Sequence, residues 1–284
     1  MSNNFDLHNH TLASDGLSTP NELIALAARN GCDVIALTDH DTVAALDEAR
    51  VAAQASGIGF VPGVEISVSW TPNVERPPLT LHILGLNIDP RQCELVAGLD
   101  QIRAGRVDRA REMGEEFAQA GIEGLFDAAW ALADNKSMIG RTHFARALVE
   151  RGIVKNTHGA FQRFLVAGKP GYVPHRWASL PDAVRWILAA GGIAVIAHPG
   201  RYNLSQIEMH QLMQEFRSLG GRAIEVVTGS HRPAQYQEFA AYARQFDFLA
   251  SRGADFHGVG ESQFEPGTLP PLPDGLQPVW SAFA

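Results

Sequence analysis

Asp33-Val34-Ile35-Ala36-Leu37-Thr38 is a nearly unbroken apolar run that ends in Asp39-His40-Asp41. Continuous rather than alternating apolarity marks a strand buried on both faces, as in a parallel sheet covered by helices. This stretch restricts the chain more than any other, because it calls for βα units and puts polar groups where the strand stops. Ile193-Ala194-Val195-Ile196-Ala197 has the same form and runs into His198-Pro199-Gly200-Arg201.

The remaining segments follow the same rhythm. Phe5 to His10 is a strand on which His8 and His10, two apart, share a face. Thr19 as N-cap, Pro20 and Glu22 open a helix that Gly31 ends. An Ala-rich helix over 42–56 stops at Gly57, and a strand over 58–61 leads to Pro62-Gly63-Val64-Glu65-Ile66-Ser67. A strand over 79–85 carries His82 among apolar neighbours. From about 91 to 190 the pattern is helical (91–120, 124–134, 141–151, 157–167 and 180–190), with strand signals nearly gone. This predicts a helical insertion at 98–168, inside a barrel made of 1–97 and 169–284. Residues 168–174 form the returning loop. Strands at 193–197, 223–227 and 248–251 then alternate with helices at 204–219 and 233–246. Asp255 and His257 follow with the spacing of His8 and His10. The Pro-rich tail, 262–284, packs over the barrel and carries no chemistry. The fold class is α/β.

Composition removes several functions. The net charge is -8 and only 23 residues are Lys or Arg, so no broad basic surface exists to hold a long duplex. Cys32 and Cys93 match no metal-binding spacing, which fits a reducing compartment. The first residues lack a basic and apolar leader, and no apolar run approaches ~18 residues, so the expected location is the cytoplasm, away from membranes.

His8, His10, Asp15, His40, Glu65, His82, His198, Asp255 and His257 nearly all follow or end an apolar strand. In a closed parallel barrel such ends converge on one face. Glu65, flanked by Val64 and Ile66, is expensive to bury without a cation. Nitrogen and oxygen donors without thiolates suit Mn²⁺, Zn²⁺ or Fe, and nine donors imply two or three ions. Three divalent ions outweigh the carboxylates Asp15, Glu65 and Asp255, leaving a positive pocket that attracts phosphate. No serine elbow, reactive-cysteine motif or P-loop is present.

The combined motifs resemble the PHP (polymerase and histidinol phosphatase) superfamily. They are H-x-H with a downstream Asp, T-D-H-D at 38–41, G-V-E-I-S at 63–67, L-H-I-L-G at 81–85, A-H-P-G-R-Y at 197–202 and D-F-H at 255–257. Within it, R-T-H-F-A-R at 141–146 and G-K-P-G-Y-V at 168–173 resemble the bacterial 3′,5′-nucleoside bisphosphate phosphatases and 5′-to-3′ exoribonucleases of the ribonuclease AM type. The resemblance implies a distorted (β/α)₇ barrel with a trinuclear manganese centre, although the ligand types leave zinc and iron open. One ion would be held by His8, His10, Glu65 and Asp255, a second by Glu65, His82 and His198, and a third by Asp15, His40 and His257. It further implies a phosphoesterase acting on nucleoside bisphosphates and RNA 5′ ends; the expected chemistry is attack by a metal-bound hydroxide, and the expected state is a monomer. Asp15, His40, Glu65, His198, Asp255 and His257 would serve catalysis. Arg141, Lys169 and Arg201 would bind phosphate, with Tyr172 and Trp177 against a base and His143 nearby. Three alternatives share parts of this pattern: a histidinol-phosphate-type phosphatase, a metal-dependent amidohydrolase, and a non-catalytic PHP accessory module.

Overall fold

The computed structural model describes residues 4–72, 76–175 and 177–283. In chain order, β1 (Phe5–Asp6), α1 (Pro20–Arg29), β2 (Val34–Leu37), α2 (Leu46–Ser56), β3 (Gly59–Trp70) and β4 (Leu79–Leu86) build the first half of a sheet. The capping box expected at α1 is present: Thr19 Oγ1 accepts the Glu22 N–H, and Glu22 takes the Thr19 N–H at 2.8 Å. After the helices of the insertion come β5 (Ala178–Ser179), α8 (Leu180–Ala189), β6 (Ile193–Ile196), α9 (Gln206–Ser218), β7 (Ala223–Thr228), α10 (Pro233–Phe246) and β8 (Leu249–Gly253).

The sheet runs β1-β2-β3-β4-β6-β7-β8, with β5 attached to β3. It closes where the chain beyond β1 meets the chain beyond β8. Leu7 N–H donates to Arg252 O at 2.9 Å, Asp255 N–H to His8 O at 2.8 Å and His10 N–H to Phe256 O at 2.9 Å. Gly253 permits this approach, since a Cβ there would lie 2.3 Å from the His8 Cβ. One strand departs from the parallel expectation. β4 is antiparallel to both β3 and β6, so its N-terminal half points to the barrel end that the other strands reach with their C-termini. That reversal brings His82, paired with Ser67, to the common face.

Apolar strands pack on both sides, as the unbroken runs require. Leu7, Ala36, Leu84, Val195 and Ala223 fill the barrel interior, joined by Val279 and Trp280 of the tail. Ile35, Leu37, Ile196 and Ile224 face outward against the helices. Trp280 stacks on Phe5 with ring centroids 4.4 Å apart, so the tail seals the end opposite the ligand-bearing face.

The helical stretch divides at Gly105, where a Cβ would meet the His175 ring at 2.9 Å. α3 (Cys93–Ala104) belongs to the barrel's outer core through Leu95, Leu99 and Ile102. α4 (Arg106–Gln119), α5 (Leu125–Leu132), α6 (Arg141–Glu150) and α7 (Thr157–Ala160), which continues as a π turn over Phe161–Leu165, enclose a second core. Met113, Phe117, Phe144, Leu148 and Val173 lie in it. The change of core thus falls near 105 and 173, while residues 98–104 pack with the barrel. No helix among the described residues is long and apolar enough to cross a membrane.

Candidate metal centre

Glu65 lies in the middle of β3, fully buried, with its two oxygens facing different imidazoles. Oε2 is 3.3 Å from Nε2 of both His8 and His10 and 2.9 Å from Nδ1 of His40. Oε1 is 2.9 Å from Nδ1 of His82 and 3.0 Å from Nε2 of His198. Asp255 Oδ1 sits 3.3 Å and 3.2 Å from the same His8 and His10 nitrogens. Asp15 Oδ1 faces His257 Nε2 at 3.5 Å and His40 Nε2 at 3.8 Å. Donor atoms gather in three overlapping sets: His8, His10, Glu65 and Asp255; His40, Glu65 and His82; and His10, Asp15, His40 and His257. Eight of the nine residues singled out in the sequence lie in these sets; His198 lies in none of them and joins the cluster through Glu65 Oε1, and His40 stands beside Glu65 and His82 where the resemblance implied His198. His10 and His40 each lie in two sets, which their spacing along the chain does not reveal.

The donors fit cations by what they lack. Glu65 Oε2, Asp255 Oδ1 and Asp15 Oδ1 are buried with no hydrogen-bond partner among the described residues, as are Nδ1 of His10, His40 and His198. His40 Nδ1 and Glu65 Oε2 are close without hydrogen-bond geometry, as expected of two lone pairs aimed at one space. Buried carboxylate oxygens left this way are costly unless a cation serves them. Separations near 3 Å suit neighbouring ligands of one ion bound at roughly 2.1 Å.

Electrostatics put the carboxylates in their donor form. Burial pushes Glu65, Asp15 and Asp255 up, but the imidazoles overturn it and hold all three well below the usual carboxylate range. Burial likewise opposes charge on His10, yet Asp255 and Glu65 raise it to about 10. Burial and Arg201 depress His198 to about 3, and burial and His10 depress His257 to about 4. His198 and His257 are thus neutral, as ligands must be, whereas the carboxylates hold protons on His8, raised well above the usual imidazole range, and on His10; a metal ion would bind there by displacing those protons.

Several supporting residues were not anticipated. Glu225, fully buried on β7, faces His8 Nδ1 at 3.0 Å and accepts the His198 N–H at 2.6 Å. Its signal, an acid inside the apolar run Ala223 to Val227, is the one that marked Glu65. Asp39 takes the Thr11 N–H (2.8 Å), the Thr11 hydroxyl (2.7 Å) and the Ser14 hydroxyl (2.5 Å), fixing the loop that carries Asp15. His231 Nε2 accepts the Gly200 N–H at 2.9 Å while Nδ1 donates to Val226 O at 3.1 Å. It steadies the loop after His198. His198 (φ 29°) and Asp255 (φ 52°) hold left-handed conformations, strain of a kind that concentrates at functional sites.

Above the donors lies a cavity of about 830 Å³, lined by Asp15, His40, His82, Asp255 and His257 together with Arg106, Arg109, Arg141 and Arg201. Arg201 Nη1 donates to Asp255 Oδ2 at 2.9 Å. Arg106 also pairs with Asp41. The guanidiniums of Arg106 and Arg109 lie 4.8 Å and 5.4 Å from the Trp177 ring centroid, and that of Arg141 5.8 Å from Phe161. Burial and the neighbouring Arg141 and Arg106 push Arg109 down to about 9, a sign of like charges crowded together. Arg106 and Arg109 escape sequence reasoning because charges on a helix normally face water. Trp177 lines the cavity too, but buried among the arginines. Lys169 is exposed on the 168–174 loop, and neither it nor Tyr172 lines the cavity. His143 is buried, and its Nδ1 accepts the Gly140 N–H at 3.2 Å, capping its own helix.

A barrel that presents clustered imidazoles and carboxylates beneath a cation-lined cavity has the architecture of a metal-dependent phosphoester hydrolase. The PHP domain matches residues 6–190, and the chain belongs to the PHP family. It is 48% identical over 277 residues to the 3′,5′-nucleoside bisphosphate phosphatase of Chromobacterium violaceum, covering 98% of this chain and 95% of that protein. It is 41% identical over 283 residues to a 5′-3′ exoribonuclease of Haemophilus influenzae, with both chains wholly covered. A solved structure described as an amidohydrolase from C. violaceum, with bound sulfate and no metal, superposes with a TM-score of 0.94 at 48% identity, covering 99% of this chain and 95% of that one.

Proposed function

We propose that this phosphoesterase cleaves the 3′-phosphoryl bond of 5′-phosphorylated nucleotides. Nucleoside 3′,5′-bisphosphates then give nucleoside 5′-phosphates, and RNA 5′ ends release 5′-nucleotides one at a time. The observation that carries the reading is the pairing, within one cavity, of a metal-type donor cluster with the arginines 106, 109, 141 and 201. Such a cavity accommodates two anionic groups at once, one over the donors and one among the guanidiniums. Arginine suits this role because its planar fork grips phosphate oxygens in pairs.

The three donor sets would hold three Mn²⁺ ions, which when bound supply positive charge to the phosphoryl oxygens and acidify a water. Glu65 orients five imidazoles around its two oxygens. Asp15, His40, His198, Asp255 and His257 complete the catalytic set, with Arg201 bonded to Asp255. Arg141, next to the donors' edge, takes the 5′-phosphate; Arg106 and Arg109 over Trp177 add charge behind it. Lys169 and Tyr172 belong to the neighbouring loop, and His143 shapes the start of α6 through Gly140.

The names of the two relatives support both halves of this reading. The amidohydrolase description of the solved structure favours a second chemistry, but that structure holds sulfate, an oxyanion shaped like phosphate, and four arginines have no task on a neutral amide. Cys32 and Cys93 are both free, in keeping with a reducing compartment.

Phosphate release from adenosine 3′,5′-bisphosphate and from histidinol phosphate, measured on manganese-loaded protein, tests the assignment. The expected result is a strong preference for the bisphosphate, with adenosine 5′-phosphate as the product. A higher kcat/KM on histidinol phosphate would overturn it.

A further inference from the structure

α6 reaches across to one donor set in particular. Thr142 Oγ1 donates to Asp15 Oδ2 at 2.8 Å, leaving Oδ1 turned toward the His10, Asp15, His40 and His257 set. One turn later, Arg146 Nη2 donates to the Asp15 carbonyl at 2.7 Å, while its Nε and Nη2 grip both Glu261 oxygens at 2.8 Å and 2.7 Å. Glu261 N–H and Ser262 N–H both return to Gly258 O, and Ser262 Oγ accepts the His257 N–H at 2.8 Å. The loop of Asp15 and the loop of His257 therefore both rest on α6. Among the described residues, no hydrogen bond to the side chains of His8, Glu65, His82, His198 or Asp255 comes from the insertion.

We propose that α6 is a positioning element for the ion held by His10, Asp15, His40 and His257. Through Arg141, the residue before Thr142 and part of the cavity wall, it also makes the binding of that ion and of a 5′-phosphorylated ligand mutually reinforcing. The proposal rests on the reading of this donor set as an ion site. The physical reason is economy of order. An anion on Arg141 immobilises the first turn of α6, and the same turn holds Asp15 through Thr142, so either ligand prepares the site for the other. Linkage makes the effect reciprocal.

Metal-stripped wild type, Thr142→Val and Thr142→Ser are titrated with Mn²⁺ by calorimetry, with and without adenosine 5′-phosphate, and the retained ions are counted by elemental analysis. Wild type should bind three ions, with adenosine 5′-phosphate tightening only the weakest. The isosteric valine should weaken that one ion about tenfold, roughly 1.4 kcal/mol, leave the other two unchanged and abolish the response to the nucleotide; serine should restore both. Thr142→Ala gives the same readout if valine disturbs the helix. Unchanged binding in the valine variant, equal weakening of all ions, or no rescue by serine each overturns the proposal. Fewer than three ions in wild type instead overturns the ion-site reading beneath it, and the proposal falls with it.

Discussion

Glu225 belongs to none of the donor sets, yet His8 through its ring and His198 through its main chain both depend on it. A carboxylate behind a metal-binding imidazole fixes the ring's orientation and raises its basicity. Replacing Glu225 with Ala should lower Mn²⁺ affinity about 10- to 100-fold, read by competition with a chelating dye, while circular dichroism shows the barrel intact. Glu65 and Glu225 were equally visible in the sequence as acids in apolar strands. Only Glu65 falls within one of the motifs that carry the family resemblance, G-V-E-I-S at 63–67. Arg106 and Arg109 were illegible for a different reason: helical charge spacing is the same whether the helix faces solvent or the rim of a cavity.

Strands and their ends were the most legible elements, since a run buried on both faces that stops at His or Asp has few other readings. The direction of β4 was not, because side-chain composition carries no sign along a strand. His82 reached the site only through that reversal. The split of the long helical run at Gly105 depended on His175 across the fold, and the core boundaries near 105 and 173 on which helices α3 touches. The insertion as an element should matter for anion recognition more than for the chemical step. Arg141→Ala is expected to raise KM for a 5′-phosphorylated bisphosphate while sparing a minimal phosphate monoester. Steady-state kinetics on the two substrates check this, and an equal loss on both would remove Arg141 from the 5′-phosphate pocket.

For the whole molecule, buried histidines outside the donor sets set a limit toward acid. Burial holds His143 and His231 neutral, each depressed to about 4 from an ordinary 6.5. On acidification the unfolded chain takes up their protons first. The stability they allow is thus complete above pH 6.5 and is lost as pH falls from 6.5 toward 4, by at most about 1.4 kcal/mol per pH unit for each group. Urea midpoints of the metal-free protein at pH 7 and pH 5 should fall more steeply in wild type than in His231→Gln.

The first donor set also straddles the line where the chain beyond β1 meets the chain beyond β8: His8 and His10 stand on one side and Asp255 on the other, with Glu65 reaching in from β3. A cation there would be a clasp on the hoop of strands. Charge that serves the chemistry would also pin the joint at which the barrel closes, so that opening the ring and emptying the site would become the same event.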